Sequence, residues 1–545
     1  MTCLRPACVS LCVMVVLVAG AALGAAGSEA PLVDAVKRGD TAAVRSLVTS
    51  GVEVNAPTPD GSTALHWAVH RDDTAMVEML LASGARPATA SRYGVTPLAL
   101  AAENGNAAII EDLLTAGAAA DTAPAEADLP IMIAARTGAP EALKVLLAHG
   151  ASPNVRNVRD QTPLMWAAAQ NNGAAVRILI EAGARVDART TDGADGAARA
   201  AMKKAEYTLG GPSTQSPPPT AFTPLLWAVR AGASDAVEVL LDAGADVNDT
   251  VSAGESALVI ALANAHWQLG DMLLDRGADP NLAGAGWNAL HQAVRTRRPN
   301  TGFGTPGPIP TGTLESIEVI KKIIAKGVNV NARMMQDGMK DGQRNRLIRT
   351  GSTAFLLAAK NTDTEVMHLL LAAGADAMIP NGEFSTPLMV AAGLHIWNPG
   401  EDGGSLPGQE EEVLEAVKIC VEQGNDVQGV NYQGWTALHG AAFRGVNLIV
   451  DYLVEQGARL DAKTEQGWTP WSIAYGLTYS EFYKNQPHTA ELLAKLMQER
   501  GLSTDGQVVD PKVCLDCGRD ASAQNELDAR KQFALQQVAA DQGAR

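Results

Sequence analysis

The 545-residue sequence predicts an all-α solenoid of about twelve stacked helix-turn-helix units. Three observations carry that prediction. A glycine ends an apolar helical segment at Gly51, Gly84, Gly117, Gly150 and Gly183, always 33 residues apart. A threonine followed by Pro-Leu or Ala-Leu opens a second helical segment in most units. Aromatic residues make up only 4% of the chain against 46% hydrophobic residues, so the core must come from close-packed Ala- and Leu-rich helices rather than from sheets.

The chain opens with Met1 to Ala26, which reads as an export signal. Arg5 is the lone charge before an apolar stretch from Val9 to Ala22, and the small residues Gly24-Ala25-Ala26-Gly27 suit a cleavage site. An uncleaved membrane anchor is the alternative, since Cys8 to Ala26 approaches the ~20 apolar residues of a spanning helix. Cleavage implies a periplasmic or secreted protein with no membrane insertion thereafter. Three of the six cysteines leave with the signal, so the mature chain keeps Cys420, Cys514 and Cys517 and has no disulfide framework.

The glycine series continues at Gly244, Gly277, Gly327, Gly374, Gly424, Gly457 and Gly501. Pairs such as Leu80-Leu81, Leu146-Leu147 and Leu273-Leu274 precede these glycines, which predicts helix ends that turn left-handed. The other series reads Thr63-Ala-Leu-His, Thr96-Pro-Leu-Ala, Thr162-Pro-Leu-Met, Thr223-Pro-Leu-Leu, Thr386-Pro-Leu-Met and Thr436-Ala-Leu-His. Threonine caps a helix and proline suits its first turn. An Asn or Asp stands four residues after most glycines, as Asn55, Asp121, Asn154, Asn248, Asn281 and Asn331, and is expected to bond the local backbone and fix the turn.

A 33-residue unit built this way resembles the ankyrin repeat. The resemblance covers Ala30 to Leu502, with Ala30–Asp60 and Trp468–Leu502 as degenerate end units, and leaves 503–545 as a tail. It implies an L-shaped helix pair per unit, hairpin-like fingers and a concave groove. The Ala- and Gly-rich composition with a short signal looks bacterial.

Inserts break the period near 193–221, 298–313, 333–350, 394–409 and 476–488. Long loops on a regular scaffold often carry function, though surface loops also tolerate insertion at small entropic cost. The insert at 333–350 brings Lys340, Arg344, Arg346 and Arg349 together as a basic patch on a chain of net charge −17. That overall charge argues against nucleic acid and anionic membranes as partners.

Catalytic constellations are not evident. The sequence holds no Gly-x-Ser-x-Gly and no phosphate-binding Gly-x-x-x-x-Gly-Lys-Ser/Thr. His66, His291 and His439 fall in the Thr-x-x-His place, where the resemblance implies structural hydrogen bonds between units. Cys420 occupies a Leu-Leu position and reads as a buried small hydrophobe. Cys514-Leu-Asp-Cys517 admits a local disulfide, half of a metal site completed by a partner chain, or an inert pair; haem attachment would need a histidine where Gly518 stands.

Trp67, Trp166 and Trp227 share one place, four residues after the Thr of their units, which the resemblance puts on the inner helix near the groove. Leu100, Ile133, Ile260, Leu357, Val390 and Ile473 fill that place elsewhere. Two roles are open to the tryptophans: packing between neighbouring units, or anchors for an extended partner segment. Trp287, Trp435 and Trp468 sit at finger bases and are expected to close turns. The sequence thus points to a non-enzymatic, cofactor-free scaffold or regulator that binds a protein through groove and fingers. Candidate contacts are Trp67, Trp166, Trp227, Arg344 and Arg346. A redox or metal-handling accessory built on Cys514 and Cys517, and a secreted effector binding a host protein, are the alternatives.

Overall fold

The computed structural model describes residues 31–121, 128–190, 221–298, 307–336, 347–394, 410–479 and 482–507, with Ala529, Gln532 and Gln536. The described residues contain 24 helices in twelve consecutive pairs. They belong to two compact units, one comprising Met1–Ala167 and Ala174–Ala184, the other Ala168–Gly173 and Arg185–Arg545.

In the first unit the pairs are α1 (Pro31–Arg38) with α2 (Thr41–Thr49), α3 (Ala64–His70) with α4 (Thr74–Ala82), α5 (Pro97–Asn104) with α6 (Ala107–Thr115), α7 (Pro130–Thr137) with α8 (Pro140–Ala148), and α9 (Pro163–Ala169) with α10 (Gly173–Glu181). First helices pack on first helices of the following pair, α1 on α3, α3 on α5 and α5 on α7, and second helices do so at α4 on α6 and α6 on α8. Ala101, Ala102, Ala134 and Ala135 are fully buried at these contacts, where small side chains let the helices approach closely.

Local chemistry sets each helix boundary. The Thr96 hydroxyl accepts from the Ala99 N–H at 3.2 Å and caps α5, with Pro97 in the first turn. Asp73 caps α4 by accepting from the Met76 N–H at 3.0 Å. At the end of α4, Gly84 adopts φ 87°, its N–H donates to the Leu81 carbonyl at 3.0 Å, and the Ala85 N–H reaches back to Leu80 at 2.9 Å. A side chain at Gly84 would meet no atom within 4 Å, so the left-handed backbone, not lack of space, calls for glycine.

The repeats are also bonded through polar groups. The Asn55 amide donates to the Gly84 carbonyl at 3.0 Å, and its Oδ1 accepts from the Arg86 N–H at 2.8 Å. Asn281 bonds Gly327 and Asn329 in the same way, and Asn331 bonds Gly374 and Asp376. This corrects the expectation of a local turn bond: the amide is long enough to cross to the following repeat, where it satisfies two otherwise open backbone groups at a helix end. Asp187 and Asp461 differ, each pairing with the arginine two residues before it.

The second unit continues the scheme with α11 (Pro224–Ala231), α12 (Ser234–Asp242), α13 (Ala257–Ala263), α14 (Trp267–Asp275), α15 (Ala289–Arg297), α16 (Ser316–Ala325), α17 (Ala354–Lys360), α18 (Thr364–Ala372), α19 (Pro387–Ala392), α20 (Glu410–Glu422), α21 (Ala437–Arg444), α22 (Asn447–Glu455), α23 (Pro470–Tyr475) and α24 (Pro487–Glu499). One departure from the all-helical expectation occurs between α23 and α24. Strand β1 (Leu477–Tyr479) pairs antiparallel with β2 (Phe482–Lys484) within the last insert.

Candidate functional site

The place four residues after the capping threonine differs in its environment along the chain. In the first unit Trp67, Leu100 and Trp166 are half-buried, and Ile133 is 8% exposed. In the second unit only Trp227, in its first repeat, is half-buried. Ile260, Leu357, Val390 and Ile473 are buried. The two repeats without one of these apolar residues hold Gln292 and Gly440 there, buried as well.

Each of the three tryptophans has a cation against its ring. Lys37 Nζ stands 4.6 Å from the Trp67 ring centroid, and the Arg136 guanidinium 5.9 Å from that of Trp166. Both cations come from the preceding repeat. Arg230, one turn on from Trp227, lies 5.8 Å from its ring and 5.6 Å from Phe222. The Trp166 indole N–H donates to Gln161 at 3.1 Å, while the buried indole nitrogens of Trp67 and Trp227 have no acceptor. One part of each tryptophan ring thus packs inside the stack and another part faces solvent. The cations were missed in the sequence, although Lys37 and Arg136 each precede their tryptophan by 30 residues, a repeated offset that could have marked them.

Inserts cover this place in two repeats of the second unit, at Val390 and at Gly440. Leu347, at the end of the 333–350 insert, is 2% exposed and clusters with Leu356 and Val390. A Cβ on Gly440 would lie 2.8 Å from the Leu394 backbone nitrogen, so the chain entering the 394–409 insert occupies the space where other repeats carry a side chain. Thr311, in the 298–313 insert, bonds His266 Nδ1 at 2.9 Å. In the last insert Lys484 Nζ sits 4.0 Å from the Phe443 ring centroid. Where the 298–313 insert replaces a tight turn, Arg297 donates to the buried Asp363 at 2.8 Å and to Ser316 at 3.1 Å, and Arg298 reaches Glu412 at 2.7 Å. These bonds tie three successive repeats together.

The motif histidines are structural. The Thr63 N–H donates to His66 Nδ1 at 3.1 Å, which leaves the ring proton on Nε2 to donate to the Val95 carbonyl of the next finger at 3.1 Å. His439 repeats this with Thr436 and Trp468. His291 does so with Asn288 and Ala332. Burial holds the His66 imidazole below its usual range and brings His291 and His439 to about 4, so all three are neutral near pH 7. Cys420 is buried, and desolvation pushes its thiol well above the usual range. Trp287, Trp435 and Trp468 are buried at finger bases, as expected.

Arg344, Arg346, Cys514 and Cys517 lie outside the described residues, as do Met1–Ala26 and half or more of each insert before α20. Arg349, the described member of the expected basic patch, is buried rather than displayed. Among the described residues no group of three His, Cys, Asp or Glu is placed to hold a metal ion, and no helix is long and apolar enough to cross a membrane.

The family model of ankyrin repeats in three copies matches residues 32–124, 100–192 and 225–301, and that of the single ankyrin repeat matches 433–465. The chain belongs to the ankyrin repeat family. Relatives of this ankyrin protein include a transient receptor potential cation channel subfamily A member 1 homolog of Caenorhabditis elegans, 32% identical over 124 residues, which are 23% of this chain and 9% of that one. The E3 ubiquitin-protein ligase KEG of Arabidopsis thaliana is 26% identical over 268 residues, 46% of this chain and 16% of its own. The nuclear factor NF-kappa-B p105 subunit of Gallus gallus is 26% identical over 255 residues, 43% and 23% respectively. The ankyrin protein thus spans less than a quarter of each of these relatives. Among solved structures, the human ASB11 ankyrin repeat domain aligns over its whole length with 46% of the chain at 27% identity and a TM-score of 0.38. Ankyrin repeats mark a protein–protein interaction scaffold.

Proposed function

We propose that this ankyrin protein is a non-catalytic scaffold or regulator that acts outside the cytoplasm and holds a protein partner on the inner helices and fingers of its first unit. The observation that carries the reading is the half-buried row of Trp67, Leu100 and Trp166 in the unit without long inserts. Indole surface that is rigid, amphipathic and partly solvated is the kind that dominates protein interfaces. The finger tips add to it: Tyr93 is 65% exposed and Val158 67%. A non-catalytic role is supported by the motif histidines His66 and His439, whose Nδ1 bonds the helix cap of its own repeat and whose Nε2 bonds the next finger. Action outside the cytoplasm is supported by the lone Arg5, the apolar stretch and the small residues up to Gly27.

Affinity capture with the chain from Gly27 to Arg545, using its own cell-envelope extract and culture medium, tests the reading. The expected result is one stoichiometric protein that is lost when Trp67 and Trp166 are replaced by alanine. Equal capture by the variant, or no stoichiometric protein at all, contradicts it. Mass measurement of the native protein tests the location: an N-terminus at Met1 in the cytosolic fraction would overturn it.

A further inference from the structure

The last of the described repeats differs from the others at the side where a following repeat would lie. Two places on the Thr-initiated helix show this. Two residues after the cap stand Leu32, Leu65, Leu98 and their counterparts up to Leu438, all 2% exposed or less. Six residues after it stand Val36, Val69, Ala102 and their counterparts up to Ala442, all 1% exposed or less. No described residue precedes the first helix, yet Leu32 and Val36 are each 1% exposed, so the following repeat is what covers these places. In the last repeat they hold Trp471, half-buried, and Tyr475, 51% exposed. The two rings lie against each other, their centroids 5.0 Å apart at 36°. On the second helix, Ala494 is half-buried at the place where Val44, Val77 and Val450 are fully buried.

A further ankyrin repeat does not suit this face. Bulky aromatic rings stand where the stacking contact elsewhere uses Leu and Ala or Val. In the place of His66, His291 and His439, which reach the next finger, Ser472 turns back to its own cap and accepts from the Thr469 N–H at 3.4 Å.

We propose that the Trp471–Tyr475 face is the docking site of the chain's own C-terminal segment, which lies on it as a helix within residues 521–540. Ala529, Gln532 and Gln536 are helical and exposed, and their spacing puts them on one side of a helix. The same spacing sets Leu527, Ala534 and Val538 on the opposite side, flanked by Phe533 and Leu535. That side meets the two rings. The reach is ample: residues 508–526 extend to about 60 Å at about 3.3 Å per residue. Helix α24, which precedes them, has 13 residues and is about 20 Å long. Tethering favours this occupant over a separate protein. A short flexible connection gives an effective concentration on the order of millimolar, so a contact of a few apolar side chains, too weak to hold a free partner, is populated within one chain.

Oxidative footprinting of the Gly27–Arg545 chain tests the proposal. Leu527→Asp with Val538→Asp should raise oxidation of Trp471 and Tyr475 at least threefold, while Gln532→Asp with Gln536→Asp leaves it unchanged. A chain ending at Gly506 should match the first variant. Independently of any loosening of the last repeat, a Val538→benzoylphenylalanine chain should photo-cross-link within one molecule to the peptide carrying Trp471 and Tyr475. Unchanged oxidation in the Leu527/Val538 variant, an equal rise in the Gln532/Gln536 variant, cross-links to another part of the chain, or cross-links between two molecules would each overturn the proposal.

Discussion

The first unit keeps a strict 33-residue period, and Trp67, Leu100 and Trp166 on its inner helices are half-buried; the second carries the inserts, and there every matching residue but Trp227 is buried. Both are built from the same helix pair, the same threonine caps and the same glycine ends. What differs is what covers the fifth residue of the Thr-initiated helix: solvent at Trp67 and Trp166, the chain's own Leu347 at Val390, and the Leu394 backbone at Gly440. Insertion into this scaffold has therefore turned a surface that another protein could occupy into interior.

The largest expected effect lies in the closed unit. Replacing Arg297 by alanine leaves Asp363, which is fully buried, without its nearest cation and should cost about 3–5 kcal/mol. Amide hydrogen exchange should accelerate in α15 to α20 and stay unchanged in α1 to α8. Uniform acceleration throughout the chain would break the contrast. Next, Leu347→Ala should destabilise the second unit by about 2–4 kcal/mol, as loss of a buried leucine does. A value near zero in urea denaturation would mean that the insert merely touches the inner helices.

Acid sharpens the comparison further. His291 and His439, fully buried in the second unit, have folded pKa values of about 4, below the unfolded value near 6.5. The unfolded chain thus binds more protons between those limits. Their contribution is fully present above pH 6.5 and is lost as pH falls toward 4, at about 1.4 kcal/mol per pH unit for each histidine. His66 is the corresponding group of the first unit and is shifted the same way. Local exchange rates measured from pH 7 to pH 4.5 should rise more steeply around α15 and α21 than around α3. The smallest stability change is expected for Trp67→Ala with Trp166→Ala, about 1–2 kcal/mol each because part of each ring is already solvated, together with a loss of partner binding of tenfold or more.

Much of the fold was legible because ankyrin units repeat their chemistry locally. A threonine cap, a proline in the first turn and a left-handed glycine are each decided within a few residues, and their 33-residue period fixes the stacking. What could not be read involves partners a full repeat away. The direction of the Asn55, Asn281 and Asn331 amides depends on which open backbone groups the next helix end presents. The cations over Trp67 and Trp166 come from the previous repeat. The site was only half legible for the same reason. One residue position is apolar in most units, and the sequence does not show that Val390 is covered by the chain's own Leu347 while Trp166 is partly solvated. Gly440 is instructive: in the sequence it is a small residue in an unexpected place, and in the structure it makes room for a crossing chain.

The central claim is that a partner docks on the inner face of the first unit and not on that of the second. Oxidative footprinting of the full mature chain, with and without the captured partner, tests it most directly. The account predicts that the partner protects Trp67, Tyr93 and Trp166 and leaves the peptides containing Val390 and Phe443 unchanged. Protection confined to the second unit, with Trp67 and Trp166 oxidised as in the free protein, would contradict it.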